Sequence, residues 1–269
     1  IAKPAFDPFP PILLMGIRFT FAALILIWWF PIPRGYLKKI FIASFIANTL
    51  QYSITYTGLN YIDASAAVLI VQTEVPFGVI FAYFMLKEKP TIRALIGIGV
   101  AFLGVYILTG SPNLDGKFFG IFLTILGSTI WAFGQVIVKP LSKEINPLAL
   151  VAWLALFSGP ILICLSALID GNTINYLTEA SFDHWIIAIY IGLIMQPISY
   201  GCFYYVLKNN PLYKVLPIVT MGIPPTGLLA AIFLLGEKPT AELFIGGTVI
   251  IVGVIMIVFT KTKKEEVKK

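Results

Sequence analysis

The sequence predicts an all-α integral membrane protein, a ten-helix bundle made from two inverted five-helix repeats, with nine of the ten spans present. Three observations carry that expectation. Apolar residues fill 58% of the 269 positions and charged residues only 12%, about half the charged share of a soluble domain, so lipid must be the solvent for most of the surface. Windowed hydropathy resolves apolar stretches close to the ~20 residues that a helix needs to cross a ~30 Å hydrocarbon core. The chain also repeats itself. PFGVIFAYFMLKEKPT (Pro76–Thr91) lies over PTGLLAAIFLLGEKPT (Pro225–Thr240), followed in register by Gly97 over Gly246 and Gly104-Val105 over Gly253-Val254.

Taken in order, the spans run 10–31, 39–60, 64–86, 92–110, 117–138, 147–169, 184–207, 212–235 and 241–260. Most turns between them are short, so neighbouring helices are expected to pack antiparallel. The first span holds a lone charge, Arg18. The second shows Asn48, Gln51, Tyr52 and Thr55 on one broad helical face. The third is apolar except for Gln72, Thr73, Glu74 and Pro76 near its centre. The fourth and ninth carry Gly97 and Gly104, and Gly246 and Gly253, small residues that let two backbones approach closely, and packing is their expected role. The fifth shows Ser128, Trp131 and Gln135 at i, i+3 and i+7 and closes on Lys139-Pro140. Cys164 in the sixth and Cys202 in the seventh are expected as buried thiols. The seventh also shows Gln196, Tyr200 and Tyr204 at i, i+4 and i+8, and the eighth contains Pro224-Pro225.

The start of the chain extends the repeat. Lys3-Pro4 lies over Lys139-Pro140 and Pro11 over Pro147, while the polar loop 170–183 absorbs the difference in length between the halves. Lys3-Pro4 is therefore expected to close a first helix that precedes this sequence. The first repeat then covers 1–110, the second 117–260, and a basic tail follows at 261–269.

Charge sorts with this alternation. Arg34, Lys38, Lys39, Lys87, Lys89, Arg93, Lys139, Lys143, Lys208, Lys214 and the tail lysines fall on one side, and only Lys3, Lys117 and Lys238 on the other. Acids lean the opposite way, with Asp7, Asp63, Asp115, Asp170, Glu179, Asp183, Glu237 and Glu242 outside. The positive-inside rule then puts both termini in the cytoplasm. The sequence pI near 9.2 follows from the same bias, so no nucleic-acid partner is needed to explain it.

Two homologous units of five helices each, joined in one chain, cross the bilayer in opposite senses. That plan is common among secondary transporters, which place substrate near the midplane between the halves. The stripes on spans two, five and seven could line a wet cavity there, or serve only as hydrogen bonds between helices. Pro76 removes the helical partner of the Gln72 carbonyl, Pro224 that of Thr220 and Pro225 that of Met221. In lipid those carbonyls need water, substrate or a neighbouring hydroxyl such as Thr73 or Thr220. The matched positions favour a hinge in each half.

Glu74 carries the sharpest question, because an ionised carboxylate at the bilayer centre costs several kcal/mol unless paired, hydrated or protonated. Arg18 lies at a similar depth in its own span, within about one ~5 Å helical turn. Three readings stay open. Arg18 and Glu74 form a fixed pair, or Glu74 binds an amino group on a cargo, or Glu74 exchanges protons and couples transport to a proton gradient.

PPILLMGIRF, the turn LKEKPT before GIGVAFLGV, and GSTIWAFGQVIVK resemble the EamA family of the drug/metabolite transporter superfamily over nearly the whole chain. The likeness is to bacterial inner-membrane exporters of amino acids and related metabolites. It implies ten helices with cytoplasmic termini, no bound cofactor, and a central cavity lined mainly by the first helix and the spans 39–60, 64–86, 117–138, 184–207 and 212–235. Glu74 departs from related amino-acid exporters, which often carry an uncharged amide there.

The resulting expectation is a monomeric carrier that exports an amino acid or amine-bearing metabolite. Uptake or exchange of a nucleoside-type metabolite such as S-adenosylmethionine, or of a sugar derivative, is the alternative, and a channel is the remote one. An intramembrane enzyme or metal site is disfavoured by the single histidine, His184, and the single deep acid.

Overall fold

The computed structural model describes residues 9–111, 114–220 and 222–258, so the expectations for Lys3-Pro4, Met221 and the tail 261–269 lie outside the described residues. The described residues form nine helical rods and one short helix, with no strand among them. They are α1 (Pro11–Leu26, continued by a 3-10 turn to Trp29), α2 (37–59), α3 (Ala64–Leu86), α4 (Ile92–Thr109), α5 (Phe118–Glu144) and α6 (Pro147–Ile169). The short α7 (Thr173–Glu179) precedes α8 (Phe182–Asn209), then α9 (Leu212–Thr220) with α10 (Ile223–Leu235) as one span, and α11 (Ala241–Val258). Seven rods are long and apolar enough to cross a membrane. The apolar stretch Ala241–Ile257 of α11 is shorter, and α2 is diluted by Lys38, Lys39 and its polar face. The protein is an all-α, multi-pass membrane protein.

Its outer surface fits that solvent. Trp28 is 83% exposed, Leu168 82% and Phe233 78%, a cost in water but ordinary contact with acyl chains. Cys164 and Cys202 correct the sequence expectation, for both are free and exposed. An apolar sulfur on a lipid-facing surface needs no burial within protein.

Small residues set the closest helix approaches. Along α4 and α11, a Cβ on Gly97 would stand 2.6 Å from the Gly253 carbonyl oxygen, and one on Gly246 2.8 Å from that of Gly104. Partners that run up one helix and down the other make the pair antiparallel. The same holds for α1 and α6, where Gly16 meets Ile163 and Thr20 meets Gly159. It holds again for α3 with α9 and α10, where Gly78 abuts Leu216 and Gly227 abuts Val68. A fourth seam joins α2 to α5 through Gly58, Gly120, Gly127 and Gly134.

Several rods are irregular near their middles. A π-helical segment, Phe45–Leu50, interrupts α2, and another, Tyr190–Met195, interrupts α8. Each ends just before a buried glutamine, Gln51 or Gln196. In α3 the turn Val71–Thr73 tightens to 3-10 just ahead of Pro76, whose missing N–H frees the Gln72 carbonyl. Pro224 and Pro225 sit in the first turn of α10, where a missing N–H costs least.

The ends of the bundle are tied across chain-distant loops. After α3, Lys87 takes a left-handed φ of 58°, and after α10 Gly236 takes 66°. The next N–H in each case, Glu88 and Glu237, bonds back to the helix at Ala82 and Ala231, which satisfies a carbonyl of the last turn. Each turn aims a carboxylate at another helix start. Glu88 accepts from Leu212 N at 3.1 Å and Tyr213 N at 3.2 Å, and Glu237 accepts from Ala64 N and Ser65 N at 2.9 Å each. Thr91 and Thr240 then cap α4 and α11, accepting from Ala94 N and Leu243 N.

Candidate functional site

A cavity of about 670 Å³ opens between α2, α3, α5, α8 and the α9–α10 break, a size that suits a small metabolite. Gln51, Tyr52, Thr55 and Tyr56 face it from α2, and Val68, Val71 and Glu74 from α3. Trp131 comes from α5, Ser199, Tyr200 and Phe203 from α8, and Val219, Thr220 and Ile223 from α9 and α10. The space reaches the bundle end that carries Leu59 and Ala64. At the opposite end Lys139 Nζ donates to Glu88 at 2.6 Å and to the Asn210 carbonyl at 2.9 Å.

Glu74 is the first residue of the α-helical part of α3, directly after the 3-10 turn, so the irregular stretch of the rod carries the carboxylate. The side chain is 5% exposed and has no hydrogen bond or ion pair with the described residues. Thr73 Oγ1 also lacks a partner, and the Thr220 hydroxyl donates to the Leu216 carbonyl. Neither hydroxyl closes a proline-freed carbonyl.

The wall is aromatic as well. Tyr52 and Tyr200 share a hydroxyl–hydroxyl bond of 2.8 Å across α2 and α8. Phe19 meets Tyr52 edge-on at 5.3 Å, and the Trp131 and Phe203 rings lie 6.0 Å apart.

Arg18 and Glu74 do not pair, which corrects the fixed-pair expectation. The guanidinium carbon lies 5.9 Å from the Phe19 ring centroid and 6.0 Å from that of Tyr52, and Nη1 is 3.8 Å from Met15 Sδ. Equal depth in the bilayer says nothing of azimuth. Helix α1 packs on α6, α2 and the π-helical stretch of α8, where Gly192 stands against the Arg18 backbone. The arginine therefore sits behind Tyr52 and away from α3.

Of the polar residues singled out in the sequence, Gln51, Tyr52, Thr55, Glu74, Trp131 and Tyr200 face the cavity. Asn48 instead donates to Ser158 at 3.3 Å in the seam with α6, and Ser128 donates to its own helix at the Thr124 carbonyl. Gln72, Gln135, Gln196 and Tyr204 are buried and off the cavity wall. Both amide atoms of Gln72 and of Gln135 lack partners, while the Tyr204 ring rests on Tyr200 and Phe203. A stripe on a helix spans more arc than one cavity can face, and the remainder falls into helix seams. His184 sits at the start of α8, where Nδ1 is 2.6 Å from the Ser181 hydroxyl.

Sequence reading passed over Tyr56, Ser199 and Phe203 on the wall and the two capping carboxylates, Glu88 and Glu237. The repeated EKPT held the signal for the carboxylates, since an acid recurs at one place in both copies.

Fold and cavity together define a multi-pass membrane protein with an internal chamber of small-molecule size. The chain belongs to the EamA-like transporter family, whose model matches residues 1–110 and 118–259. It is 25% identical to a "Probable amino-acid metabolite efflux pump" of Escherichia coli K12, over all of this chain and 92% of that protein. It is 26% identical to a protein of the same description from Salmonella typhimurium, over 96% of this chain and 89% of that one. An uncharacterized transporter of Clostridium kluyveri is 26% identical over 87% of this chain and 75% of its own length. A solved crystal structure with 15% sequence identity superposes with a TM-score of 0.70, over 96% of this chain and 92% of that one, which shows the shared fold.

Proposed function

We propose that this protein is a secondary active transporter that exports a small metabolite, an amino acid or another amine-bearing compound, across the bacterial inner membrane by alternating access. The observation that carries the reading is Glu74, an acid with no counter-charge among the described residues, on the wall of a 670 Å³ cavity. A substrate amine or a proton supplies the missing charge, and the same group then serves binding and coupling. The relatives named as amino-acid metabolite efflux pumps support the substrate class and the direction.

The inverted repeat is supported by contacts between repeat-related residues. Gly97 corresponds to Gly246 and Gly104 to Gly253 in the alignment, yet Gly97 touches Gly253 and Gly104 touches Gly246. Only a two-fold axis across the helices exchanges those contacts. Such an axis lies in the membrane plane, so one half is inverted against the other. The halves then rock about the cavity, with the breaks near Pro76 and Pro224-Pro225 as hinges. Both termini lie in the cytoplasm, the cavity here opens outward, and the protein works as a monomer.

Reconstitution tests this directly. Vesicles holding the purified chain should show saturable amino-acid flux, accelerated by unlabelled amino acid on the opposite side. Flux that rises without saturation, or equals that of empty vesicles, would overturn the proposal.

A further inference from the structure

We propose that the cavity contains an anion subsite in which the Tyr52 and Tyr200 hydroxyls, backed by the Arg18 guanidinium, receive the carboxylate of a zwitterionic substrate whose amine is held by Glu74. The inference rests on the transporter reading, because it takes the cavity as the place where substrate sits.

The charges are unbalanced locally and balanced together. The ion pairs among the described residues are Lys117–Asp63 and Lys139–Glu88, so neither Arg18 nor Glu74 has an opposite charge to meet. Arginine offers five N–H donors and is always charged. Here Nε is buried without a partner and one Nη rests on a thioether sulfur, with the Phe19 and Tyr52 rings about the guanidinium. An intramembrane cation held this way lacks the anion that ordinarily justifies its burial.

The two hydroxyls at the cavity wall are suited to supply the contact. Tyr52 and Tyr200 bring two O–H protons between them, and their mutual bond at 2.8 Å uses one. The other is free of that bond to donate to an incoming carboxylate, which would then lie in front of the guanidinium. Glu74 reaches the same chamber from α3. A simple amine would leave Arg18 uncompensated and a simple acid would leave Glu74 so. A zwitterion answers both, and Trp131 and Phe203 provide wall for its apolar side chain.

The test uses the full chain in lipid nanodiscs and titration calorimetry with phenylalanine, leucine and threonine. Each is compared with its amide, which lacks the carboxylate, and with the matching acid lacking the amine. Wild type should prefer at least one zwitterion over both truncated forms by roughly tenfold or more. Arg18→Met should abolish the preference over the amide and keep the preference over the acid, and Glu74→Gln should do the reverse. The double variant Tyr52→Phe, Tyr200→Phe should weaken discrimination against the amide and covers the case in which Arg18→Met does not fold. No zwitterion binding to wild type, or full discrimination against the amide in Arg18→Met or in the double variant, would overturn the subsite. Saturable flux alongside retained discrimination would sink the subsite alone and leave the transporter standing.

Discussion

Glu74 sits buried on the cavity wall, and its described neighbours leave the carboxylate unneutralised. Removing its charge should therefore cost the fold nothing. Glu74→Gln is expected to unfold at the wild-type temperature or above in detergent, since an unpaired buried charge is itself destabilising; a lower Tm would contradict this. The same variant should bind amine-bearing amino acids at least about tenfold more weakly, because charge-assisted hydrogen bonds are roughly twice as strong as neutral ones, and titration calorimetry reads the loss. That Glu74 lies deep in a span was legible in the sequence, for the acid stands near the centre of an apolar run. The situation of Arg18 was not. Depth follows from counting residues along one helix, whereas pairing depends on which faces meet, and that is set by how α1 lies on α6 and α8.

At the level of elements, the repeated turn accounts for itself residue by residue. The left-handed position holds Lys87 in one copy and Gly236 in the other, the following glutamate caps a distant helix, and the threonine starts the next one. The motif was visible in the sequence, but its work was not, because the capped N–H groups belong to the other half of the chain. Glu88→Gln should destabilise by about 3 kcal/mol, leaving Lys139, whose side chain is 7% exposed, without its counter-charge. Adding Lys139→Met should recover part of that loss, and chemical unfolding of the two variants in micelles measures it. Glycines on α4 offer a matched contrast. A Cβ on Gly97 meets backbone at 2.6 Å while one on Gly99 meets nothing within 4 Å. Gly97→Leu should cost about 1–3 kcal/mol by overpacking, and Gly99→Ala should be neutral or gain up to ~1 kcal/mol of helix propensity; equal effects on Tm would contradict the glycine seam.

For the whole molecule, composition was enough to name the solvent, and hydropathy marked most rods to within a few residues; α5 corrects the expected close at Lys139-Pro140, for it runs on through Pro140 to Glu144. The cavity was harder to foresee. Asn48 and Gln135 carry the same polar chemistry as Gln51, but Asn48 bonds across a seam and Gln135 is closed off at 0% exposure. Residues pointing into a chamber and residues sealing two helices obey the same 3.6-residue period, so periodicity cannot separate them. The proposed rocking of two halves around the chamber predicts that its wall is reached from each membrane face in turn. Val71, on that wall, supplies the most direct measurement: Val71→Cys in a chain with Cys164 and Cys202 changed to serine, probed with a membrane-impermeant thiol reagent. The account predicts modification from either side of sealed vesicles, slowed on both sides by a bound amino acid. Modification from one side only, under every ligand condition, would contradict it.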